Sequence, residues 1–206
     1  MRGKKSAIVL AVALAALAAQ PLWAVRVGQA APDFTGTDTH GATHRLSDYH
    51  GKFVVLEWQN RGCPYTRKHY DSGNMQRLQK EWTARGVIWL TIISSAPGKQ
   101  GYMDASQANA YFQQMHAAST AVLLDPQGTI GHLYDAKTTP EIYIIDPQGA
   151  LIYEGAIDNR PTPDPSSLEG ATNYLDLALT EAMAGKPVTM PATRPYGCSV
   201  KYADEP

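Results

Sequence analysis

Glu57-Trp58-Gln59-Asn60-Arg61-Gly62-Cys63-Pro64-Tyr65-Thr66-Arg67-Lys68-His69 joins a strand-like run to a helix-like run through a cysteine followed by proline. Upstream, residues 53–56 (Phe-Val-Val-Leu) are continuously apolar, β-branched and aromatic, as a strand buried on both sheet faces requires. Downstream, Pro64 fits a first helical turn, where its missing N–H has no partner to lose. Cys63 therefore stands at or just before a helix N-terminus. Free amides and the positive end of the helix dipole favour thiolate there, and Arg61, Arg67, Lys68 and His69 are expected to add positive charge. The pattern suits a reactive cysteine; the competing reading is a structural cysteine that merely begins a helix.

Toward the N-terminus, His40-Gly41 reads as a turn between residues 34–39 and 42–46, an expected hairpin. His40, His44 and His50 lie in polar turn contexts without an accompanying acid or cysteine cluster, so they read as ordinary histidines rather than metal ligands. Basic residues 1–5, an apolar run over residues 6–19 and a small residue at Ala24 have the layout of a secretory signal peptide ending at residue 24. The run is shorter than the roughly 20 residues a membrane-spanning helix needs.

The chain has 18 Lys and Arg against 19 Asp and Glu; loss of Arg2, Lys4 and Lys5 with the leader leaves a net charge of −4. Such a surface gives no reason to expect nucleic acid or anionic lipid as partner. The remaining length suits one domain, read as residues 25–185, followed by a tail over 186–206. The two cysteines, Cys63 and Cys198, are too few for a disulfide-built scaffold, and an exported setting makes a bridge between them the ordinary expectation.

Toward the C-terminus, residues 64–70 should form the first helix turns, and Asn74 should cap a second helix with Met75, Leu78 and Trp82 inward. Gly86 ends it, and residues 87–93 form the next buried strand. The polar loop over residues 94–103 follows at the sheet edge where open α/β folds bind ligands. Asp104 should begin a helix reaching about His116, before a strand over 120–124, an Asp125-Pro126-Gln127-Gly128 turn and a helical turn over 130–134. Two β-rich runs around Asp146-Pro147-Gln148-Gly149 form a second hairpin, preceded by Thr138-Thr139-Pro140. An amphipathic helix is expected over residues 167–184, closed by Gly185.

Taken together, Ala31-Pro32-Asp33-Phe34, residues 51–58, the Cys63-Pro64 helix start and residues 138–149 resemble the thioredoxin fold in its redoxin form. That superfamily also holds the alkyl hydroperoxide reductase and thiol-specific antioxidant proteins. The resemblance implies an α/β, three-layer fold: a central mixed sheet flanked by helices, with an N-terminal hairpin extension and an irregular C-terminal tail. It also implies a cis peptide at Thr139-Pro140, with Thr139 offering its backbone to an incoming thiol or disulfide. Glu57 falls where thioredoxins bury an acid beneath the active site; a buried carboxylate could relay protons, whereas one at the strand edge would pair with Arg61 or Lys68.

Departures from the pattern narrow the activity. Thr66 replaces the second cysteine of Cys-x-x-Cys, and Arg67 replaces that of the copper-delivering Cys-x-x-x-Cys relatives. Asn60 stands where peroxiredoxins carry threonine, and Pro140 aligns with their arginine. The leading expectation is an exported, periplasmic thiol redox enzyme in which the Cys63 thiolate attacks a disulfide and Cys198 resolves the product. A thiol peroxidase is the alternative, and a non-enzymatic copper or haem chaperone using Cys63, Cys198 and His69 is a second one. In a third reading the two cysteines form a permanent structural bridge. The expected partner is a thiol or disulfide protein or a small oxidant, with no cofactor, metal or stable membrane insertion.

Overall fold

The computed structural model describes residues 25–203, so the expected leader over residues 1–24 lies outside the described residues. Strands β1 (Thr35–Asp38) and β2 (Thr43–Arg45) form the first hairpin, and a 3-10 turn at Leu46–Tyr49 leads into β3 (Val54–Trp58). Helices α1 (Pro64–Asp71) and α2 (Asn74–Ala84) follow, then β4 (Ile88–Ile93), α3 (Ala105–Gln114), β5 (Ala121–Leu124) and α4 (Thr129–Leu133). The chain continues through β6 (Thr138–Thr139), β7 (Glu141–Ile145), β8 (Leu151–Gly155), α5 (Tyr174–Met183) and β9 (Cys198–Ser199). The main sheet has the order β2-β1-β5-β4-β3-β7-β8, and a separate two-stranded sheet joins β6 to β9.

The sheet is mixed: β3, β4 and β5 run parallel, while β7 runs antiparallel to β3 and β8 antiparallel to β7. Side chains alternate across a strand, so β3 sends Val54, Leu56 and Trp58 to one face and Val55 and Glu57 to the other. The first group packs with Phe34, Leu46, Ile130 and Tyr134. Val55 joins Tyr70 of α1, Met75, Leu78 and Trp82 of α2, Phe112 of α3, and Leu175 and Leu179 of α5. Helices thus cover both faces, the three-layer arrangement expected from the sequence. Each such large apolar side chain contributes roughly 1.5–3 kcal/mol through burial.

Two helix starts differ from expectation. The cap of α2 is Gly73, at φ 78°, rather than Asn74, because the chain turns sharply from α1 into α2 and a left-handed residue is needed there. Asn74 is the first helical residue, and its Nδ2 donates to His69 Nδ1 at 2.8 Å. The last helix starts at Tyr174 rather than near residue 167, because Pro165–Leu168 forms a separate 3-10 turn and Gly170 breaks the path. Asn173 supplies the cap, accepting from the Asp176 amide. Asp104 caps α3 as expected, in a reciprocal box with Gln107. Among the described residues, no helix is long and apolar enough to cross a membrane.

Candidate active site at Cys63

Strand β3 ends at Trp58, and six residues later the chain must begin α1. Asn60 shapes that connection: its carbonyl accepts from the Cys63 amide and its Oδ1 from the Gly62 amide, at 3.0 and 2.8 Å. Its Nδ2 donates to Gln100 O at 3.1 Å, and Gln100 Nε2 returns a bond to Gly62 O. The loop over residues 94–103 therefore lies against the cysteine loop, as its place at the sheet edge suggested. The fit requires glycine at 101, where a Cβ would come within 2.2 Å of Asn60 Oδ1 at φ 85°.

Cys63 is the N-cap of α1, with Pro64 behind it at the first helical position. Its side chain is fully buried, and its Sγ lies 2.9 Å from the Thr139 carbonyl, next to the cis Thr139-Pro140 peptide. Cys198 stands opposite Thr139 in the β6–β9 ladder, so the two thiols meet. Both cysteines are free, and Cys198 is part-exposed. Thus the tail, irregular over most of its length, carries a short strand that delivers the second sulfur.

The two thiols differ in acidity. Burial is the largest influence and opposes the Cys63 thiolate, but hydrogen bonds from the Cys198 thiol, the Thr66 and Cys198 amides and Thr139 together outweigh it and hold Cys63 below the usual thiol range. The Thr139 carbonyl accepts from the protonated form, and Thr66 closes no regular cap bond to the sulfur, so the Cys198 donor is the main stabiliser. Burial and the hydrogen bond and charge of Cys63 push Cys198 up to about 11. Cys63 is therefore the more acidic of the two thiols.

The basic residues expected around the sulfur are employed elsewhere. Arg61 is exposed, and exposed Arg67 pairs with Asp71 at 3.3 Å. Lys68 is turned into the interior, where Nζ meets Asp158 Oδ2 at 3.1 Å, Arg160 O at 2.7 Å and Tyr196 OH at 3.1 Å. His69 is buried beside Asp158 and takes its hydrogen bond from Asn74, so its proton lies on Nε2. Helix geometry explains the difference: positions 68 and 69 are buried on the side of α1 that meets Asp158.

Thr66 is buried near the sulfur, and its hydroxyl has no hydrogen-bond partner among the described residues. Glu57 is also buried, and neither Arg61 nor Lys68 is among its hydrogen-bond partners. Its oxygens accept from Tyr70 OH and Trp89 Nε1 at 2.8 Å and from Gln79 Nε2 and Thr91 Oγ1 at 3.1 Å. Burial pushes its carboxyl up, and those four donors limit the rise. No three His, Cys, Asp or Glu side chains gather as a metal site among the described residues. Sequence reasoning missed Asp158, Tyr196 and Gly197, which hold the tail in place; only the glycine before a lone cysteine offered a visible cue.

The sequence matches the AhpC/TSA family over residues 27–154. It is 29% identical over 128 residues to the thiol-disulfide oxidoreductase ResA of Geobacillus kaustophilus, an alignment covering 62% of this chain and 68% of that protein. It is 25% identical over 146 residues to peroxiredoxin Bcp of Bacillus subtilis, covering 63% of this chain and 84% of that one. An uncharacterised conserved protein from Geobacillus kaustophilus shares the fold with a TM-score of 0.75 at 22% identity, over 88% of this chain and 94% of that structure. A family match over more than half of its length, on a thioredoxin-like sheet with cysteine at the first helix cap, places the chain in the AhpC/TSA family.

Proposed function

We propose that the chain is a thiol–disulfide oxidoreductase whose redox couple is Cys63 and Cys198. The observation that carries this reading is the meeting of the two thiols beside Thr139, with Cys63 the more acidic of the pair. In the first step the Cys63 thiolate attacks a partner disulfide, one partner sulfur leaves as thiolate, and a mixed disulfide remains. Cys198 then loses its proton, attacks the Cys63 sulfur and expels the second partner sulfur. Two electrons pass from the dithiol to the partner, and a dithiol reductant restores the couple. Similarity to ResA supports exchange with a thiol or disulfide protein.

In this reading Thr139 and Pro140 form the wall against which the reacting sulfurs align. Thr66 packs beneath the thiolate, Glu57 serves as a buried proton reservoir under the helix, and Arg67 remains on the surface. Residues 25–185 form the catalytic domain, residues 186–206 the tail that carries Cys198, and residues 1–24 an export signal directing the protein to the periplasm. Peroxide reduction is the second reading, favoured by similarity to Bcp. Against it, both ends of the Asn60 side chain are already bonded within the protein.

Reduction of a small aromatic disulfide by wild type, Cys63→Ala and Cys198→Ala tests the proposal. Exchange requires that Cys63→Ala be inactive and that Cys198→Ala stop at the mixed disulfide. Undiminished turnover by Cys63→Ala would end it.

A further inference from the structure

The fully buried Cys63 sulfur cannot be approached in line by any disulfide until something moves, and its cover includes the chain's own tail. Cys198 and Ser199 pair with Thr139 and Thr138, and the Val200 amide extends the contact to Lys137 O at 3.0 Å. The cover is anchored at each end. Tyr196 donates its hydroxyl proton to Asp158 Oδ1 on one side, and Tyr202 OH donates to Ala136 O at 2.8 Å on the other. Between them Gly197 presses on the Thr139 backbone so closely that a Cβ would lie 2.1 Å from its carbonyl oxygen, at φ 149°.

Resting on the exchange reading above, we propose that residues 196–202 are a removable cover occupying the backbone edge on which a partner's extended, disulfide-bearing segment docks, and that their return expels the reduced partner. The tail itself shows what that edge accepts: an extended strand with a cysteine opposite Thr139 and a residue without a side chain just before it. A ladder of two residues with an exposed flank at Ser199 is short enough to open locally. Both occupants use the same backbone groups, so they exclude one another.

Resolution and release therefore become one event. With the tail out, the Cys63 thiolate forms a mixed disulfide with the docked partner, and the partner's other sulfur leaves and takes a proton from water. When the tail returns, Cys198 gives its proton to solvent and attacks the Cys63 sulfur, and the partner's remaining sulfur leaves as thiolate. The tail then holds the edge from which the partner has just been displaced.

Full-length Gly197→Ala and Tyr196→Phe test this. The first forces a Cβ onto the Thr139 carbonyl; the second removes the hydroxyl that meets Asp158 and Lys68 and adds no atom. Cys63 alkylation by iodoacetamide, measured above the ordinary thiol range so that the sulfur is ionised with or without the Cys198 donor and followed by peptide mass, should accelerate on the order of tenfold or more in Gly197→Ala, and by less in Tyr196→Phe. Mixed-disulfide formation with a disulfide-linked peptide containing Gly-Cys should accelerate in parallel, while closure of the internal disulfide should slow. Alkylation at the wild-type rate in both variants would overturn the cover. Faster alkylation without any mixed disulfide would leave the cover standing and overturn the exchange reading.

Discussion

Cys198 is the register partner of Thr139, whose carbonyl oxygen lies 2.9 Å from Cys63 Sγ. One backbone residue thus holds both sulfurs, and the thiol of Cys198 is the chief stabiliser of the Cys63 thiolate.

Cys198→Ala removes that donor. The Cys63 pKa should rise toward the ordinary thiol value, seen as a shift of the ultraviolet thiolate absorbance to higher pH. Cys198→Ser retains an O–H donor and should fall between the two. An unchanged titration in the alanine variant would mean that the helix terminus alone sets the acidity.

Lys68 and Asp158 form an ion pair with side chains at most 1% exposed. Lys68→Met should leave the Asp158 charge buried and cost roughly 3–5 kcal/mol in denaturant unfolding. Adding Asp158→Asn should restore much of the loss, because the uncompensated charge is then gone.

His69 is held down to about 4 by burial, which the nearby Asp158 charge only partly offsets. A depressed folded value means that its contribution to stability is complete above pH 6.5 and is lost as pH falls through about 4. The gap corresponds to roughly 3 kcal/mol. Wild type should therefore lose about that much more than His69→Gln between these pH values, measured by urea unfolding. Parallel pH profiles would show that burial does not depress His69 in the folded protein.

Glu57 has the opposite sign, since burial raises its folded value. Its stabilising contribution is complete below the ordinary carboxyl range near 4.5 and declines as pH rises through the raised value. Glu57→Gln should flatten that decline. Glu57→Leu, which strands the donors of Trp89, Gln79 and Thr91, should cost at least ~3 kcal/mol at any pH. Equal stability of the Leu and Gln variants would contradict the hydrogen-bond account.

Much of this arrangement was legible in the chain because local chemistry and tertiary structure agree. Pro64 after Cys63 marks a helix start, the β-branched runs mark buried strands, and Asp104 marks the start of α3. The cis peptide at Thr139-Pro140 followed from the resemblance. The basic residues after Cys63 misled because charge and sequence proximity do not reveal side-chain direction: Lys68 and His69 point inward to Asp158, which lies 90 residues along the chain from Lys68. Strand β9 was invisible because two residues have no period, and its pairing with Thr138 and Thr139 is wholly non-local. The Gly73 cap was obscured by Asn74, a better cap by composition but one residue inside the helix.

The central claim is that Cys63 and Cys198 are one two-electron couple. Titration of the reduced protein with oxidised glutathione, read by intact mass and by peptide mapping of the acid-quenched products, tests it most directly. The account requires a loss of two hydrogen atoms in a single transition, with residues 63 and 198 crosslinked and little glutathione retained. Stable glutathione adducts on either cysteine without that crosslink would contradict it.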